Sequence, residues 1–173
     1  RHVGGGNWPD CDMLPLGKLG KGFGNEWYTR LTPDEQKTMM SLWCIFRSPL
    51  MIGTDLPQID DATLALLTNE EVLSLEKNSH GAFLVTKDEN QCVWASHGNG
   101  CPAKGMAINV GLFNLSDEER EVSVRLCEIQ GISESKTYSV RDLWQKKDLF
   151  PLQGDAELTR TIPPHGSELL RLF

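Results

Sequence analysis

The sequence lacks the features that would point to a membrane or to a nucleic acid. No stretch approaches the roughly 18 consecutive apolar residues that a membrane-spanning helix needs. Basic residues are scattered: the longest basic run is Lys146 with Lys147, and 17 lysines and arginines stand against 24 aspartates and glutamates, for a net charge of −7. Because nucleic-acid-binding proteins usually carry a clustered basic face, we expect neither a nucleic-acid partner nor a membrane partner.

Cysteine spacing gives no sign of a metal centre. The five cysteines contain no Cys-x-x-Cys pair, which argues against a zinc ribbon and against a dense disulfide scaffold. Cys92, His97 and Cys101 lie close in sequence, but their spacings fit no standard zinc pattern, where four ligands are usual. We therefore predict no metal and no cofactor. Two free, buried thiols at Cys92 and Cys101 are expected by default, and a bridge between them is the alternative in an oxidising compartment.

The length of the chain limits its architecture. Its 173 residues suffice for one domain or two small ones, but a whole (β/α)8 barrel needs about 250 residues. Hydrophobic residues make up 39%, and with 16 glycines this approaches the composition of an ordinary soluble domain. There is no internal repeat and no low-complexity tract. We therefore expect a folded chain with a sizeable core.

The region around residue 32 has the parts of a helix start. Thr32 can cap the helix, Pro33 suits its first position, and Glu35 completes a capping box. Apolar residues then recur at spacings of three and four, which predicts a helix buried on a wide face. The helix must end before Pro49, because proline disfavours helical geometry in the residue ahead of it.

The rest of the region up to residue 77 also alternates between strand and helix. Residues 49–53 form a short apolar run closed by glycine, which predicts a fully buried strand of a parallel sheet. Asp60 or Asp61 can cap a second helix, and further helical turns follow Asn69. Residues 1–77 are therefore expected to have βα architecture.

Beyond residue 78 the periodicity changes to two. Apolar and other residues alternate over 106–113 and 122–127, so each strand should place one face in a core and the other toward solvent or a second layer. Further short strands are predicted at 83–85, 92–95, 138–140, 158–162 and 169–173. Strands at this spacing predict an antiparallel β-sandwich over 78–173. The fold class is thus α/β plus all-β.

The densest functional signal lies near the start of the chain. If the stretch from Asp10 to Met13 is extended, the carboxylates of Asp10 and Asp12 point to the same side, with Trp8 close by. Carboxylates accept hydrogen bonds from sugar hydroxyls, and an aromatic ring offers an apolar face. The alternative is an aspartate-rich turn that caps its own backbone. A catalytic pair is less favoured, because glycosidase carboxylates must straddle the scissile bond.

Residues 8–17, Trp-Pro-Asp-Cys-Asp-Met-Leu-Pro-Leu-Gly, resemble a characteristic segment of the α-galactosidase and α-N-acetylgalactosaminidase family, glycoside hydrolase family 27. The segment has the form Trp-x-Asp-x-Asp-Met-Leu. Residues 31–36, 42–56 and 66–73 resemble the same family in the same order, and residues 140–144 and 162–167 resemble its C-terminal domain. The resemblance covers nearly the whole chain.

This resemblance implies a (β/α)8 barrel followed by an antiparallel β-sandwich, in an enzyme that cleaves terminal α-galactosyl groups with retention. Residues 1–77 would be the last quarter of the barrel, from its seventh strand, and residues 78–173 the sandwich. The family's nucleophile and acid/base are aspartates on earlier strands, ahead of the position of Arg1. We therefore predict no catalytic residue in this chain, and no hydrolysis by the chain alone.

The resemblance also assigns roles to single residues. Asp12 matches the aspartate that hydrogen-bonds the bound galactose, and Met13 matches a residue that lines the same pocket. Asp10 matches the first aspartate of the motif, for which support of the loop is favoured over direct sugar contact. Trp8 is expected to pack in the core rather than stack on sugar. Because barrel sites lie at the carboxyl ends of strands, Asp12 should come just after the seventh strand.

The expected partners follow from the same family. The substrate is an α-galactoside or an α-N-acetylgalactosaminide. Two barrel strands without their neighbours leave open edges, so we also expect either the preceding barrel segment or a second copy of the chain as a partner. Secreted, periplasmic and lysosomal locations all fit the family, and the compartment stays open. The alternative function is that of a non-catalytic carbohydrate-binding or structural β-sandwich module.

Overall fold

The computed structural model describes residues 7–20, 22, 24–98 and 106–173. The first part of the chain combines helices with short strands. In order, the elements are β1 (Met13–Leu14), β2 (Lys18–Leu19), β3 (Trp27–Tyr28), α1 (Pro33–Phe46), β4 (Met51–Ile52), a 3₁₀ turn (Leu56–Gln58), α2 (Asp61–Leu67) and α3 (Glu70–Asn78). β2 and β3 pair antiparallel as a hairpin, whereas β1 and β4 pair in parallel.

From residue 79 onward the described chain is mostly β-strand. The strands are β5 (Ser79–Lys87), β6 (Gln91–Gly98), β7 (Ala107–Asn114), β8 (Arg120–Arg125), β9 (Thr137–Asp142), β10 (Lys147–Gln153), β11 (Glu157–Ile162) and β12 (Ser167–Leu172). One antiparallel sheet has the strand order β10-β9-β12-β7-β6-β5, and β8 pairs antiparallel with β11 as a separate ribbon. This arrangement is consistent with the predicted β-sandwich.

Helix α1 begins as the sequence predicts. The Thr32 hydroxyl accepts a hydrogen bond from the amide of Glu35 at 3.2 Å, and the Glu35 carboxylate accepts one from the amide of Thr32 at 2.7 Å. The helix ends at Phe46, and Arg47 caps it in the left-handed conformation, with φ of 59°. Asp60 caps α2. Both helices and their caps are therefore confirmed.

The predicted strand at 49–53 is confirmed as parallel but not as buried. β4 consists of Met51 and Ile52, which lie opposite Met13 and Leu14 of β1. The side chains of Met51 and Ile52 are 61% and 47% exposed. The prediction of full burial is wrong because β4 pairs with one strand only, and no other element of the described residues covers these side chains.

The main core lies between the large sheet and the β8–β11 ribbon. Its buried members come from both layers: Val93, Ala95, Ile108, Val110, Leu112, Val122, Val124, Leu126, Ile129, Tyr138, Val140, Leu158, Ile162, Leu170 and Leu172. The alternation rule predicted most of these strands. It missed β10, where Lys147, Asp148 and Pro151 interrupt the apolar pattern.

A second core lies between the helices and the opposite face of the same sheet. Every residue of β7 is buried, because the strand is covered on both sides. A Cβ at Gly111 would lie 2.7 Å from the Phe113 ring and 3.3 Å from Cδ1 of Ile45, so the absence of a side chain makes room for both the ring and α1. The alternating sequence pattern allowed either solvent or a second layer on the outer face of the strands. For this sheet, that face is covered by the helices. Among the described residues, no helix combines the length and apolar character needed to span a bilayer.

Candidate functional site

The segment from Trp8 to Met13 forms an aspartate turn instead of an extended strand. Asp12 adopts a left-handed backbone conformation, with φ of 68°. Its amide donates to Oδ1 of Asp10 at 2.9 Å, and its own Oδ1 accepts from the amide of Met13 at 2.6 Å. The extended geometry considered from the sequence is therefore wrong, and the alternative of a self-capping turn is correct.

The three predicted site residues lie together on the surface. Asp10 and Asp12 are exposed, and Met13 is 53% exposed. Asp12 comes immediately before β1, although we expected it just after a strand. A strand ahead of the motif would fall largely on residues 1–6, which lie outside the described residues. The structure thus brings Asp10, Asp12 and Met13 together at the start of β1.

Met13 borders an apolar surface formed by the β1–β4 pair. Its backbone lies opposite Met51, and its sulfur lies 2.9 Å from where a Cβ of Gly53 would be. The absence of a side chain at Gly53 is therefore what lets Met13 lie across β4. Met13, Met51 and Ile52 together form an exposed apolar patch beside the Asp12 carboxylate.

The C-terminal end of α1 contacts the turn at three points that sequence reasoning missed. The indole N–H of Trp43 donates to the carbonyl oxygen of Asp12 at 3.0 Å. The hydroxyl of Ser48 accepts from the amide of Cys11 at 2.9 Å. The Arg47 guanidinium lies 4.1 Å from the ring centroid of Trp8. These contacts join residues more than 30 positions apart, so no local sequence pattern could have indicated them.

Trp8 is 45% exposed, and Arg47 covers one face of its ring. The prediction that Trp8 packs in the core is therefore wrong. The ring packs against the guanidinium of Arg47, the residue that caps α1, instead of against apolar core residues. A cation above an indole face is a favourable cation–π arrangement, so Arg47 holds Trp8 at the surface.

Glu76 lies behind this end of α1. Burial raises the pKa of its carboxyl group to about 7, and the nearby Arg47 guanidinium opposes the rise. Oε1 of Glu76 is buried and has no hydrogen-bond partner among the described residues. The Arg47 Nε donates to the backbone carbonyl of Glu76 at 2.9 Å, not to its carboxylate. The uncompensated carboxylate therefore favours its neutral form.

The remaining candidates do not join the site. Cys92 is a free, buried thiol on β6, while Cys101 lies outside the described residues. Because Cys92 and His97 are five positions apart on one strand, their side chains point to opposite faces. Within the described part of the chain, no three His, Cys, Asp or Glu side chains are grouped as metal ligands. Asp55 follows β4 and accepts a hydrogen bond from the Gln58 side chain at 3.1 Å, as a turn anchor does.

An apolar cavity of about 320 Å³ adjoins the turn. It is lined by Pro9, Cys11, Phe46, Ala82 and Trp94. The rings of Phe46 and Trp94 meet edge to face, with centroids 4.6 Å apart. This cavity lies between the site segment and the large sheet, so the site is next to the sandwich layer.

Two protein-family models match successive parts of the chain. A model described as alpha galactosidase A matches residues 1–78. A model described as the alpha galactosidase C-terminal beta sandwich domain matches residues 91–172. Together they cover almost the whole sequence, in the order expected from the resemblance.

Curated relatives and solved structures agree with these models. Alpha-galactosidase 2 of Arabidopsis thaliana is 28% identical over 96% of this chain and 38% of its own length. The alpha-galactosidase of Cyamopsis tetragonoloba is 27% identical over 97% of this chain and 37% of its own length. The GH27 β-L-arabinopyranosidase of Geobacillus stearothermophilus is 44% identical, with a TM-score of 0.86 over 98% of this chain and 38% of that one.

A second structural match extends the fold to a more distant enzyme. Alpha-galactosidase I of Mortierella vinacea superposes with a TM-score of 0.77 at 24% identity, over 96% of this chain and 39% of that one. The matched proteins define the class as glycoside hydrolases. The chain belongs to the α-galactosidase family, glycoside hydrolase family 27, and corresponds to the C-terminal portion of its members. It spans less than two-fifths of the length of the curated relatives named above.

Proposed function

We propose that this chain is the C-terminal part of a retaining α-galactosidase-like glycoside hydrolase that cleaves terminal α-galactosyl groups. Residues 1–77 form the last quarter of its (β/α)8 barrel, and residues 78–173 form its β-sandwich. The observation that carries the proposal is the exposed pair of Asp12 and Met13 beside the parallel strands β1 and β4. The parallel pairing is what the end of a barrel requires.

Asp12 is suited to hold a sugar hydroxyl. Its Oδ1 accepts the amide of Met13, and Oδ2 accepts no hydrogen bond from the described residues. Oδ2 therefore offers a charged acceptor, and hydrogen bonds to charged groups are the stronger kind. Met13 supplies an adjoining apolar contact. Asp10 supports the loop, because its Oδ1 accepts the amide of Asp12.

The catalytic carboxylates lie outside this chain in our proposal. A retaining glycosidase needs two carboxyl groups about 5–5.5 Å apart on either side of the scissile bond. Asp10 and Asp12 belong to one tight turn, in which the first carboxylate caps the backbone of the second. Two groups on one loop cannot flank a bond, so the turn supports a binding role and argues against a catalytic pair.

A β-L-arabinopyranoside is the second candidate substrate. The supporting observation is the 44% identity to the Geobacillus enzyme, which exceeds the 27–28% identity to the two curated α-galactosidases. A β-L-arabinopyranoside has the ring configuration of an α-galactoside but lacks the hydroxymethyl group on C5. Asp12 and Met13 can therefore serve either sugar. The third candidate substrate is an α-N-acetylgalactosaminide, which differs from an α-galactoside at C2.

Steady-state hydrolysis of p-nitrophenyl glycosides tests this proposal. The parent enzyme should cleave the α-galactoside, whereas residues 1–173 alone should be inactive. In the parent, Asp12→Ala should raise KM at least tenfold, because it removes a charge-assisted hydrogen bond to substrate. The α-galactoside, β-L-arabinopyranoside and α-N-acetylgalactosaminide, compared by kcat/KM, identify the substrate.

Two outcomes would contradict the proposal. Hydrolysis by residues 1–173 alone would show that the catalytic groups are within this chain. Sugar binding that is unchanged by Asp12→Ala, measured calorimetrically with galactose, would place the sugar site elsewhere. Binding by the inactive chain that survives this substitution would favour the alternative of a non-catalytic binding module.

A further inference from the structure

We propose that the C-terminal end of α1 positions the sugar-binding turn through Trp43, Arg47 and Ser48. This inference rests on the proposed function, since it assigns these residues a part in the same site. None of the three needs to touch the sugar. They are positioning residues that act through the backbone of residues 11 and 12 and through the ring of Trp8.

Trp43 donates a hydrogen bond to the residue of the turn that has a left-handed backbone. Asp12 is left-handed, with φ of 68°, a region that L-residues other than glycine seldom occupy. The Trp43 indole N–H reaches its carbonyl oxygen at 3.0 Å. The direction of a side chain follows from its backbone dihedrals. This hydrogen bond therefore helps to fix where the Asp12 carboxylate points.

Ser48 and Arg47 hold the turn on its N-terminal side. Ser48 is fully buried, and its hydroxyl accepts the amide of Cys11 at 2.9 Å. The Arg47 side chain stacks on Trp8, and its Nε is fixed by the Glu76 carbonyl at 2.9 Å. Contacts at residues 8, 11 and 12 thus bracket Asp10, whose carboxylate closes the turn.

The helix end is itself rigid, which makes it an effective support. The backbone N–H of Arg47 bonds to the carbonyls of Cys44 and Trp43, in a left-handed cap. Cys44 and Ile45 on the same turn are fully buried against the sheet and α3. The sugar contact is therefore tied through α1 to the packed interior, and sites held by rigid elements keep their geometry better than free loops.

Trp43→Phe in the parent enzyme is the primary test. The substitution keeps an aromatic ring and removes one N–H donor. We expect KM for p-nitrophenyl α-galactoside to rise roughly three- to tenfold with kcat nearly unchanged, because a single net hydrogen bond is lost from binding that substrate and transition state share. A purely structural effect would reduce the amount of active enzyme and leave KM unchanged.

Trp144→Phe is a matched control. The Trp144 indole also donates one hydrogen bond to α1, to the hydroxyl of Ser41 at 2.9 Å, and this tryptophan is partly buried like Trp43. The bond does not involve the site turn. We expect Trp144→Phe to lower the thermal midpoint as much as Trp43→Phe does, with no change in KM.

A double-mutant cycle with Asp12→Ala separates this inference from the proposed function. If Trp43 acts through Asp12, Trp43→Phe should change KM less than twofold once Asp12 is alanine. An equal effect of Trp43→Phe in both backgrounds, or no effect on KM in the native background, would overturn the positioning role. If Asp12→Ala alone leaves KM unchanged, it is the proposed function that fails.

Discussion

At the scale of single residues, Asp12 combines a fixed backbone with an exposed side chain. Its backbone is held tightly in a left-handed conformation, while its carboxylate remains exposed to solvent. A non-glycine residue in this region costs about 1 kcal/mol, which the contacts from Asp10 and Trp43 offset. Such conformations cluster at functional sites because the surrounding structure must maintain them. The fixed backbone gives the carboxylate a defined direction.

Glu76 makes the stability of the protein depend on pH. Its pKa is about 7 in the folded protein and near 4.5 when unfolded, so its neutral form is the one that folding favours. This contribution is complete below pH 4.5 and is lost as pH rises through 7. We expect Glu76→Gln to change the free energy of unfolding more favourably at pH 8 than at pH 5. The difference between the two pH values should be about 1–2 kcal/mol after allowance for solvent screening.

Urea unfolding at pH 5 and pH 8 measures this effect. Glu70→Gln, an exposed substitution of the same kind on the same helix, is the control for the loss of one carboxyl group. If Glu76→Gln and the native protein show the same difference between the two pH values, the carboxylate is not held neutral by burial.

The sequence marks candidate site residues but does not predict their geometry. The Trp-x-Asp-x-Asp-Met-Leu motif marked Asp10, Asp12 and Met13, and the structure places all three at one surface position. The left-handed backbone at Asp12 depends partly on an indole 31 positions away. No local pattern contains that information, so the self-capping turn was only one of two alternatives.

At the scale of secondary-structure elements, hydrogen bonds from side chains attach the helical layer to the sheet. The guanidinium of Arg141 on β9 binds Glu71 of α3 through two contacts, at 2.7 and 2.8 Å. Asn69, which caps α3, also donates to the backbone carbonyl of Leu143 at 3.1 Å. The start of α3 is thus attached to the end of β9 by paired polar contacts.

A double-mutant cycle measures the strength of the Glu71–Arg141 pair. Arg141 also contacts Asp148 at 2.8 Å, but the Asp148 side chain is 73% exposed. We expect a coupling energy of about 1 kcal/mol for Glu71→Gln with Arg141→Met, because bidentate geometry favours this pair. The matched cycle with Asp148→Asn should give less than half of this value. Equal coupling energies would mean that burial and geometry do not distinguish the two pairs.

Elements with strong local signals were predictable, and those that depend on neighbours were not. The capping box and Pro49 bounded α1, and alternation marked most strands of the sheet. β10 was not predicted, because charged residues and Pro151 interrupt the alternation of apolar and polar residues. Such interruptions are common at a sheet edge. β4 was expected to be buried because its composition is apolar, but burial depends on what packs against a strand.

At the scale of the whole molecule, the two cores differ in how completely they are closed. The core between the sheet and the β8–β11 ribbon is enclosed by strands on both sides. The helical layer instead ends in the β1–β4 pair, where Met13, Met51 and Ile52 remain exposed. Contiguous apolar surface of this kind is usually covered by another part of the protein or by a partner.

We therefore expect residues 1–173 to form a dimer when they are alone in solution. When the rest of the parent protein is present, we expect them to associate with it instead. Light scattering at several concentrations measures the mass. Met51→Glu places a charge in the exposed apolar patch without disturbing a buried residue, and it should shift the chain toward monomer. A monomeric mass for the native chain at all concentrations would contradict the expectation that the exposed apolar patch drives self-association.

In the proposed function, Asp12 and Met13 contact the sugar. A crystal structure of the parent enzyme with bound galactose tests this directly. We predict that a carboxylate oxygen of Asp12 lies about 2.6–3.0 Å from a sugar hydroxyl, with the Met13 side chain in van der Waals contact with the ring. Galactose bound in a pocket that Asp12 does not reach would contradict the proposed sugar-binding role of this residue.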